Sequence, residues 1–466
     1  MRLAVISDIH LGDPSSSMAR IEQPEDEKLA GRGHRRGQVV PHEKDRKWRD
    51  RIAPGYGYEL FRDAVRDRFD GQSLDYLVLL GDVLDFSIQH YSRAYSIAGK
   101  LFGKMIDDDL LQQRDRGDEK RFGPVIYVPG NHDLDMWNTV EYQVNISQRL
   151  NLGKEARRFR MSVPAIIHDQ ADGSEPDVFL HGVSNRRPQK YGGLFLDHLT
   201  EPPISFYFGF PNLYFVSEGE TILMTHGQYF NFFWSFLGQW AVKIFGDALK
   251  LRSEDSISLA EMVGLNYPTG QLSCSAIGQA GKLTKIIRTL EHDIKAHDRK
   301  NVKRYLNRLL DELLKRMDAG LFKIPGAKRI ARCVSRKIVT GLLDKSKPAR
   351  DYEQYLRDPD IKANFEQFYQ ASIVEIEKLQ AHYPFDIPYP SRMIFGHTHQ
   401  PVSWEAPEAV EIPQSGDSVA GEIRACNTGG WLYHANDHGP GAEVFFYETG
   451  KGFSSKRIRY ESSVEV

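Results

Sequence analysis

The chain has 466 residues, of which 41% are hydrophobic and 27% charged, with 39 Gly and 23 Pro. This ordinary globular composition excludes a disordered, collagen-like or coiled-coil protein, and the length allows two or three domains or one large core with insertions. The formal net charge of −2 hides one basic segment, since residues 282–350 carry 20 Lys and Arg against 7 Asp and Glu. That segment is suited to facing anions.

Signals for secretion, membrane insertion and disulfide formation are missing from the sequence pattern. The N-terminal residues run directly into an apolar, strand-like stretch, without the basic, apolar and small-residue succession of a signal peptide. No window offers the roughly 18 uncharged apolar residues that a spanning helix needs. The three cysteines, Cys274, Cys333 and Cys426, are too widely spaced for a disulfide framework or a zinc ribbon. We therefore expect a cytoplasmic protein.

Short apolar runs that end in polar residues recur along the chain and predict buried strands. In chain order these runs lie at 3–7, 76–80, 125–128, 178–180, 221–225 and 393–395. Helical patterns separate several of them, at 59–69, 93–111 and 138–150. Closely spaced strand patterns follow near the C-terminus, at 422–427, 443–448 and 454–460. The order of elements predicts an α/β (α+β layered) fold whose sheets are mixed at their ends.

Two stretches interrupt this alternation. Residues 13–57 are rich in Arg, Glu, Pro and Gly, which predicts a long loop inserted beside the first strand. Residues 230–384 have mainly helical patterns, which predict a helical cap inserted into the core. The core itself is then formed by residues 1–229 and 385–466.

Five of the predicted strands end in residues that can carry chemistry. These strand ends hold Asp8 and His10, Asp82 and Asp85, Asn131 to Asp133, His226, and finally His397 and His399. The carboxyl ends of strands in an α/β sheet converge on one rim, where ligands bind. Residues two apart in an extended segment point to the same side, so each Asp-x-His or His-x-His pair can offer two donors to one place.

The donor set at these strand ends predicts a metal site. Carboxylate oxygens mixed with neutral imidazoles favour Mn, Fe or Zn over Mg or Ca. The donors exceed what one ion needs, whereas two ions about 3.5–4 Å apart that share one carboxylate would use them. Such a pair can hold both the attacking and the leaving oxygen of an in-line phosphoryl displacement.

The five blocks read D-x-H, G-D-x-x-D, G-N-H-D, H-G and G-H-x-H, in that order. With them the sequence resembles the calcineurin-like metallophosphoesterase superfamily. The resemblance implies a β-sandwich flanked by helices, here with a large helical cap insertion, and two divalent or mixed-valence Mn, Fe or Zn ions. It also implies hydrolysis of a phosphodiester, phosphomonoester or pyrophosphate bond by attack of a metal-bridging hydroxide.

Site roles follow from the resemblance position by position. One metal would be held by Asp8, His10, Asp82 and His399, and the other by Asp82, Asn131, His226 and His397. His132 would act as acid and transition-state stabiliser, and its neighbour Asp133 would orient the imidazole.

Several positions keep an alternative interpretation. Asp85 either caps the helix after the second strand or supports the site indirectly. His181 also follows a strand pattern and precedes a glycine, so it competes with His226, which has the better strand before it. We expect the other histidines to be structural or on the surface, among them His34, His42, His90, His168, His292, His297 and His434.

The substrate is left open by the sequence. Residues 6–12 and 426–431 resemble the UDP-2,3-diacylglucosamine hydrolase branch, but the cap is far longer and His132 stands where that branch usually has Arg. Aromatic residues occur at 206–210 and again from Phe230 to Trp240, followed by the basic segment. The second group forms an amphipathic helical face that either packs within the cap or contacts an acyl chain or an anionic membrane.

These features predict a small-molecule or lipid-like phosphoester substrate, with peripheral contact at an anionic membrane as a further expectation. Charge reversal at Lys295, Arg299, Lys300 and Lys303, or Phe233→Asp and Trp240→Asp, should reduce that contact. Two alternatives remain: a metal-dependent nuclease whose basic cap binds nucleic acid, and a non-catalytic scaffold of the same fold. Aromatic residues are sparse among the basic ones, so nucleic acid is the less favoured ligand.

Overall fold

The computed structural model describes residues 1–21, 46–114, 119–170, 177–180, 192–231, 258–274, 352–412, 421–433 and 441–459, together with residue 304. Fifteen strands in this part of the chain form two large sheets and one small pair. Helices cover both large sheets. The predicted α/β layered fold is therefore confirmed.

The first large sheet has six strands, in the order β15-β14-β1-β4-β5-β8. Strands β1, β4, β5 and β8 are mutually parallel, whereas β14 and β15 add an antiparallel edge. Apolar residues fill most positions of the central strands, as is usual for a parallel sheet covered on both faces. The bounds are β1 Arg2–Ile6, β4 Tyr76–Leu79, β5 Phe122–Tyr127, β8 Ile204–Phe208, β14 Ala442–Glu448 and β15 Gly452–Ile458.

The second large sheet has seven strands, in the order β12-β13-β11-β10-β9-β6-β7. Strands β10, β11 and β13 are parallel to one another, and antiparallel pairs flank them. The bounds are β6 Ala165–Asp169, β7 Asp177–Leu180, β9 Asn212–Ser217, β10 Glu220–Thr225, β11 Arg392–Phe395, β12 Glu408–Ile412 and β13 Gly421–Asn427.

The two sheets pack face to face as a β-sandwich. The inner layer joins Val5 and Val78 of the first sheet to Phe215, Met224 and Ile394 of the second in one buried apolar cluster. Burial of this kind contributes about 25 cal/mol for each Å² of apolar surface removed from water. The sandwich that the sequence resemblance implies is thus present.

A larger apolar cluster covers the outer faces with helices. Phe61 and Leu101 pack on the first sheet, and Phe368 joins the second sheet through the same cluster. The helices are α1 Tyr56–Arg68, α2 Tyr91–Asp107, α3 Leu134–Tyr142, α4 Gln148–Asn151, α5 Leu259–Ser273 and α6 Pro359–Gln380. A π-helical segment, Gln143–Ser147, links α3 to α4, and 3₁₀ turns occur at Arg46–Arg51, Leu194–Leu196, Gln228–Phe230 and Tyr352–Arg357.

The aromatic run at 206–210 begins in the first sheet, where β8 buries Phe206 and Phe208 against Phe102 and Tyr127. The stretch 13–57 is not loop throughout, since β2 (Ala19–Ile21) pairs antiparallel with β3 (Ile52–Pro54).

Much of the predicted cap lies outside the described residues, including the basic segment apart from Arg304 and the aromatic face beyond Asn231. The described parts of 230–384 are helical, in α5 and α6, but the division into core and cap stays a prediction. Among the described helices, none has the length and apolar character needed to cross a bilayer.

Candidate metal centre

Five strand ends from the two sheets meet at one rim of the sandwich. Adjacent parallel strands β1, β4 and β5 deliver Asp8, Asp82 and Asn131. Adjacent parallel strands β10 and β11 of the second sheet deliver His226 and His397. The structure therefore brings the predicted ligands together because parallel neighbours end at the same edge.

The backbone at this rim is held in an unusual conformation. Asp8, His10, Asp82, His397 and His399 all have left-handed φ angles, between 49° and 68°. Non-glycine residues rarely adopt this region, and such conformations concentrate at functional sites. Backbone hydrogen bonds fix the geometry, because the Asp8 amide donates to the Gly81 carbonyl at 3.0 Å and the His10 amide to the Asp82 carbonyl at 2.8 Å.

The first donor group contains Asp8, His10 and His399, whose ligand atoms lie within 4.8 Å of one another. His10 Nε2 lies 3.2 Å from His399 Nε2, and His399 Nε2 lies 3.3 Å from Asp8 Oδ1. His10 donates from Nδ1 to Asp85 Oδ2 at 3.0 Å, so the lone pair of its Nε2 faces the group. Two ring nitrogens that face each other beside a carboxylate oxygen suit a cation between them.

The second donor group contains Asp82, His226 and His397. His226 donates from Nδ1 to the Leu80 carbonyl at 2.7 Å, so its Nε2 points at Asp82 Oδ2, 3.2 Å away, and at Asn131 Oδ1, 3.1 Å away. All of these side chains except His397, which is partly exposed, are at least 98% buried. This second set of donors also suits a metal ion.

Asp82 lies between the two groups. Its Oδ2 is 3.2 Å from His226 Nε2 and 3.8 Å from His10 Nε2, while its Oδ1 accepts from the His132 amide at 2.8 Å. Burial by itself would raise the pKa of Asp82, but the neighbouring imidazoles of His226 and His132 outweigh it and hold that pKa well below its ordinary value. The carboxylate is therefore ionised.

The two histidines of the second group differ in charge state. Burial lowers the pKa of His226, yet the charge of Asp82 and the hydrogen bond to it raise that pKa to about 9. Burial and the nearby charge of His226 together lower the pKa of His397 to about 3. A neutral His397 is available as a donor at neutral pH.

Asp85 is the partner of the His132 ring. His132 donates from Nδ1 to Asp85 Oδ1 at 3.1 Å, and the same carboxylate binds His10 at its other oxygen. The N-cap residue of α2 is His90, so the interpretation of Asp85 as the cap of this helix is wrong. Burial lowers the pKa of His132, but Cys274, Asp85 and Asp82 outweigh this and raise it well above its ordinary value.

Asp133 does not contact the His132 ring in the structure, contrary to the role predicted from its position in the motif. Its carboxylate is buried and accepts from the backbone amides of Val83 at 2.8 Å and Gly130 at 2.6 Å, and from the Tyr127 hydroxyl. Burial, together with the charge of Asp82, raises the pKa of Asp133 to about 6. Asp133 therefore ties the β4 and β5 loops together rather than orienting the imidazole.

Close backbone approach explains two glycines of the motifs. A Cβ atom on Gly130 would lie 2.4 Å from Asp82 Oδ1 and 2.8 Å from His226 Cδ2. A Cβ atom on Gly396 would lie 2.3 Å from Asp8 Oδ2. Both distances are too short for real contacts, so any side chain at these positions would displace the predicted ligands.

Two residues at the site were not found by sequence reasoning. Cys274, at the end of α5, places its Sγ 3.8 Å from both Asn131 Nδ2 and His132 Nε2. Gln228, two residues after His226, is 3% exposed, and its Oε1 has no hydrogen-bond partner among the described residues. The glutamine lines a small neutral pocket beside Asn131, together with Leu134, Tyr229, Asn266, Tyr267 and Gly270. No motif in the sequence indicates that Cys274 reaches the site. Gln228 could have been predicted to lie there from its position next to the His-Gly block.

The remaining histidines lie away from the rim where they are described. His168 stacks on Phe385 with ring centroids 3.8 Å apart, and His90 is exposed before α2. His181, the alternative to His226, lies outside the described residues, as do His34, His42, His292, His297 and His434.

The fold is a two-sheet α/β sandwich, and buried Asp, His and Asn side chains gather at one of its rims. The site at these strand ends is of the metal-binding type. The family model for calcineurin-like phosphoesterases matches residues 1–253, more than half of the chain. The chain therefore belongs to the calcineurin-like phosphoesterase family. Among curated proteins, none matches it. The matched range ends before β11, whose His397 and His399 nevertheless lie at the same rim.

Proposed function

We propose that this protein is a dinuclear metal-dependent phosphoesterase. The ligands of one ion are Asp8, His10, Asp82 and His399, and those of the other are Asp82, Asn131, His226 and His397. The single observation that carries this proposal is the position of Asp82, whose Oδ2 is 3.2 Å from His226 Nε2 and 3.8 Å from His10 Nε2. A carboxylate between two donor groups is suited to bridge two ions.

The donor set favours Mn, Fe or Zn, because it combines carboxylate oxygens with imidazole nitrogens. When bound, such ions supply a water of lowered pKa as nucleophile and positive charge for the phosphoryl oxygens. The protein fixes the ring orientations from outside. His10 is held by Asp85 and His226 by the Leu80 carbonyl, so each presents Nε2 to the site.

His132 supplies the proton for the leaving group. Its Nδ1 is held by Asp85 at 3.1 Å and by Ser87 Oγ at 3.0 Å, so the proton on Nε2 is the one free to move. The raised pKa of this imidazole, which persists despite burial because of Cys274 and Asp85, keeps the ring protonated at neutral pH. Donation from Nε2 to the departing alkoxide oxygen leaves a neutral imidazole that Asp85 keeps in position.

The substrate class is a small-molecule or lipid-like phosphoester. The pocket beside Asn131 has a volume of about 10 Å³, which is room for a water molecule and not for an organic group, so the substrate class rests on the sequence features alone. Contact of the 230–384 region with an anionic membrane, and the nuclease alternative, both depend on basic residues outside the described part of the chain.

The experiment is an add-back assay on metal-free protein. A panel of chromogenic phosphate mono- and diesters is offered with Mn²⁺, Zn²⁺ or Fe²⁺, and with no metal as the control. We expect hydrolysis only after metal is restored, with one ester class preferred. Absence of hydrolysis under every condition, in protein that binds the metals, would overturn the proposal and favour the non-catalytic scaffold.

A further inference from the structure

The most exposed large hydrophobic side chains of the described residues lie on the segment 142–152 and on the adjoining turn at Leu194. Leu152 is 68% exposed, Tyr142 58%, Leu150 57% and Leu194 48%, and every other large hydrophobic in the described part of the chain is less exposed. Single exposed apolar residues are common on protein surfaces, but a group of four calls for a partner.

Hydrogen bonds hold the chain segments that carry these residues next to one another. The chain turns back after α4, since the Lys154 amide donates to the Arg149 carbonyl at 2.8 Å and the Arg157 amide to the Asn145 carbonyl at 2.9 Å. The segment that carries Leu194 is attached to the π-helical segment before α4, because the Gln143 side chain donates to the Gly192 carbonyl at 2.7 Å and accepts from the Phe195 amide at 2.9 Å.

Basic residues surround the exposed apolar ones. From residue 142 to residue 160 the sequence has five Arg and Lys against one Glu. Lys154 and Arg158 are exposed, and Arg149 and Arg157 are partly exposed. We define the 142–158 patch as Tyr142, Leu150, Leu152 and Leu194 together with Arg149, Lys154, Arg157 and Arg158.

The composition of the patch selects among anionic partners. Nucleic acid would engage the basic residues and stack on aromatic rings, but it offers nothing to exposed leucines. An anionic bilayer offers both a negative surface for the basic residues and an acyl boundary for the leucines. The combination of apolar side chains with a basic surround therefore favours lipid.

We propose that the 142–158 patch seats the protein on an anionic lipid surface. The patch lies at the far end of the helical segment that begins with α3, whose first residue, Leu134, follows the His132 and Asp133 pair of the rim. Its residues include none of the proposed metal ligands. Membrane attachment through this patch is thus separate from the chemistry and does not depend on it.

The test uses the full chain in vesicle co-sedimentation. Vesicles of phosphatidylcholine alone are compared with vesicles that also contain phosphatidylglycerol, at low and at raised salt. We expect binding to the anionic vesicles only, weakened by salt because the contacts are screened. Each basic residue near the surface contributes to the affinity, so Lys154→Glu with Arg158→Glu should lower the partition coefficient by at least roughly tenfold.

Two further variants separate the apolar contribution from a general charge effect. Leu150→Ser with Leu152→Ser should also weaken binding to the anionic vesicles, both at low salt and at raised salt. Arg424→Glu with Lys451→Glu reverses an equal charge at exposed positions away from the patch and should retain binding. All of these positions are on the surface, so circular dichroism should be unchanged.

Several results would overturn the proposal. One is a wild-type protein that does not bind anionic vesicles, which needs no variant to interpret. A second is equal loss of binding in the Arg424 and Lys451 control. A third is full binding in both patch variants with loss on reversing Lys295 and Arg299, which would assign the contact to the basic segment instead. Capture of single-stranded DNA in place of vesicles would favour nucleic acid.

Discussion

Two clusters of buried polar side chains in this protein are used in opposite ways. At the rim, imidazole nitrogens and carboxylate oxygens face one another, as His10 and His399 do at 3.2 Å. Between α6 and β9, Glu375 instead accepts from the Ser162 and Tyr214 hydroxyls, and Asn212 donates to Ser372 at 3.0 Å. In the first cluster the ligand atoms of carboxylates and imidazoles converge on one place, whereas the second joins hydroxyl and amide donors to acceptors and fastens a helix to a sheet.

The charge states of the carboxylates follow the same division. The pKa of Asp82 is held well below its ordinary value by His226 and His132 although burial opposes this, whereas burial raises the pKa of Glu375 to about 7. Burial of a polar group is therefore not in itself a sign of function. The sign is a set of carboxylates and imidazoles whose ligand atoms converge on one place.

The largest expected effect is at Asp82. Asp82→Asn should abolish phosphoester hydrolysis and remove both metal ions, because this carboxylate is shared by the two donor groups. Asp169→Asn is the matched control, since Asp169 is also 2% exposed but accepts from Tyr447 and Thr449 away from the rim. Elemental analysis and a chromogenic diester assay measure both variants. Normal activity in Asp82→Asn would remove the distinction between the two clusters.

His132 gives the next effect. His132→Ala should lower turnover by roughly 10²–10⁴, the range for a lost general acid, while the metal content is kept. Because the lost group supplies a proton, an ester with a better leaving group should be less affected. Loss of the metals together with activity would instead make His132 a ligand, in line with its closeness to His10 and Asp82.

Asp85 should show a mixed effect, since it binds both His132 and His10. Asp85→Asn should lower metal affinity by roughly 10–100-fold, the range for partners of metal ligands, and should lower turnover at saturating metal as well. Titration of the metal-free variant with Mn²⁺, followed by the diester assay, separates these two losses. An Asp85→Asn protein that matches the wild type in both would contradict the assigned contacts.

The α6 and β9 cluster should respond to pH and not to metal. The pKa of Glu375 is about 7 in the folded protein against an ordinary 4.5, so the folded state holds this proton more tightly. The contribution of Glu375 to stability should then be complete below pH 4.5 and should be lost as the pH rises to 7, by about 3 kcal/mol at most. Glu375→Gln should lose this slope. Urea unfolding of both proteins across this range is the measurement, and identical slopes would contradict the interpretation.

The smallest effect is expected at the contact of α5 with α3. Tyr267 donates to Asn138 Oδ1 at 2.7 Å, so Tyr267→Phe should lower the free energy of unfolding by about 1 kcal/mol. Hydrolysis of a small chromogenic diester should stay at the wild-type rate, because the phenyl ring is kept and Asn138 is not one of the proposed metal ligands. A large fall in activity would show that α5 shapes the site.

The sequence is sufficient to predict the rim and insufficient to predict what packs on it. Strand runs that end in Asp8, Asp82, Asn131, His226 and His397 locate the site, because neighbouring parallel strands end at one edge. The role of Asp85 could not be chosen from spacing, since the position of its carboxylate between His10 and His132 depends on the left-handed turns at the strand ends. Cys274 reaches the site only through the packing of α5, which no local pattern encodes.

The predictions from sequence were wrong where the local pattern and the tertiary context differ. The stretch 13–57 has the composition of a loop, yet Ala19–Ile21 and Ile52–Pro54 pair as the strands β2 and β3. Asp133 stands beside His132 in the motif, but the turn directs its carboxylate to the amides of Val83 and Gly130. Adjacency in sequence is a poor guide to contact in a tight turn.

The most direct test of this account is the number of metal ions per chain in fully active protein. Metal-free protein is titrated with Mn²⁺, and bound metal by elemental analysis is compared at each step with hydrolysis of a chromogenic diester. We expect two ions per chain, with activity that appears as the second ion binds, and neither ion in Asp82→Asn. Full activity with one tightly bound ion per chain would contradict the two-metal site and the bridging position of Asp82.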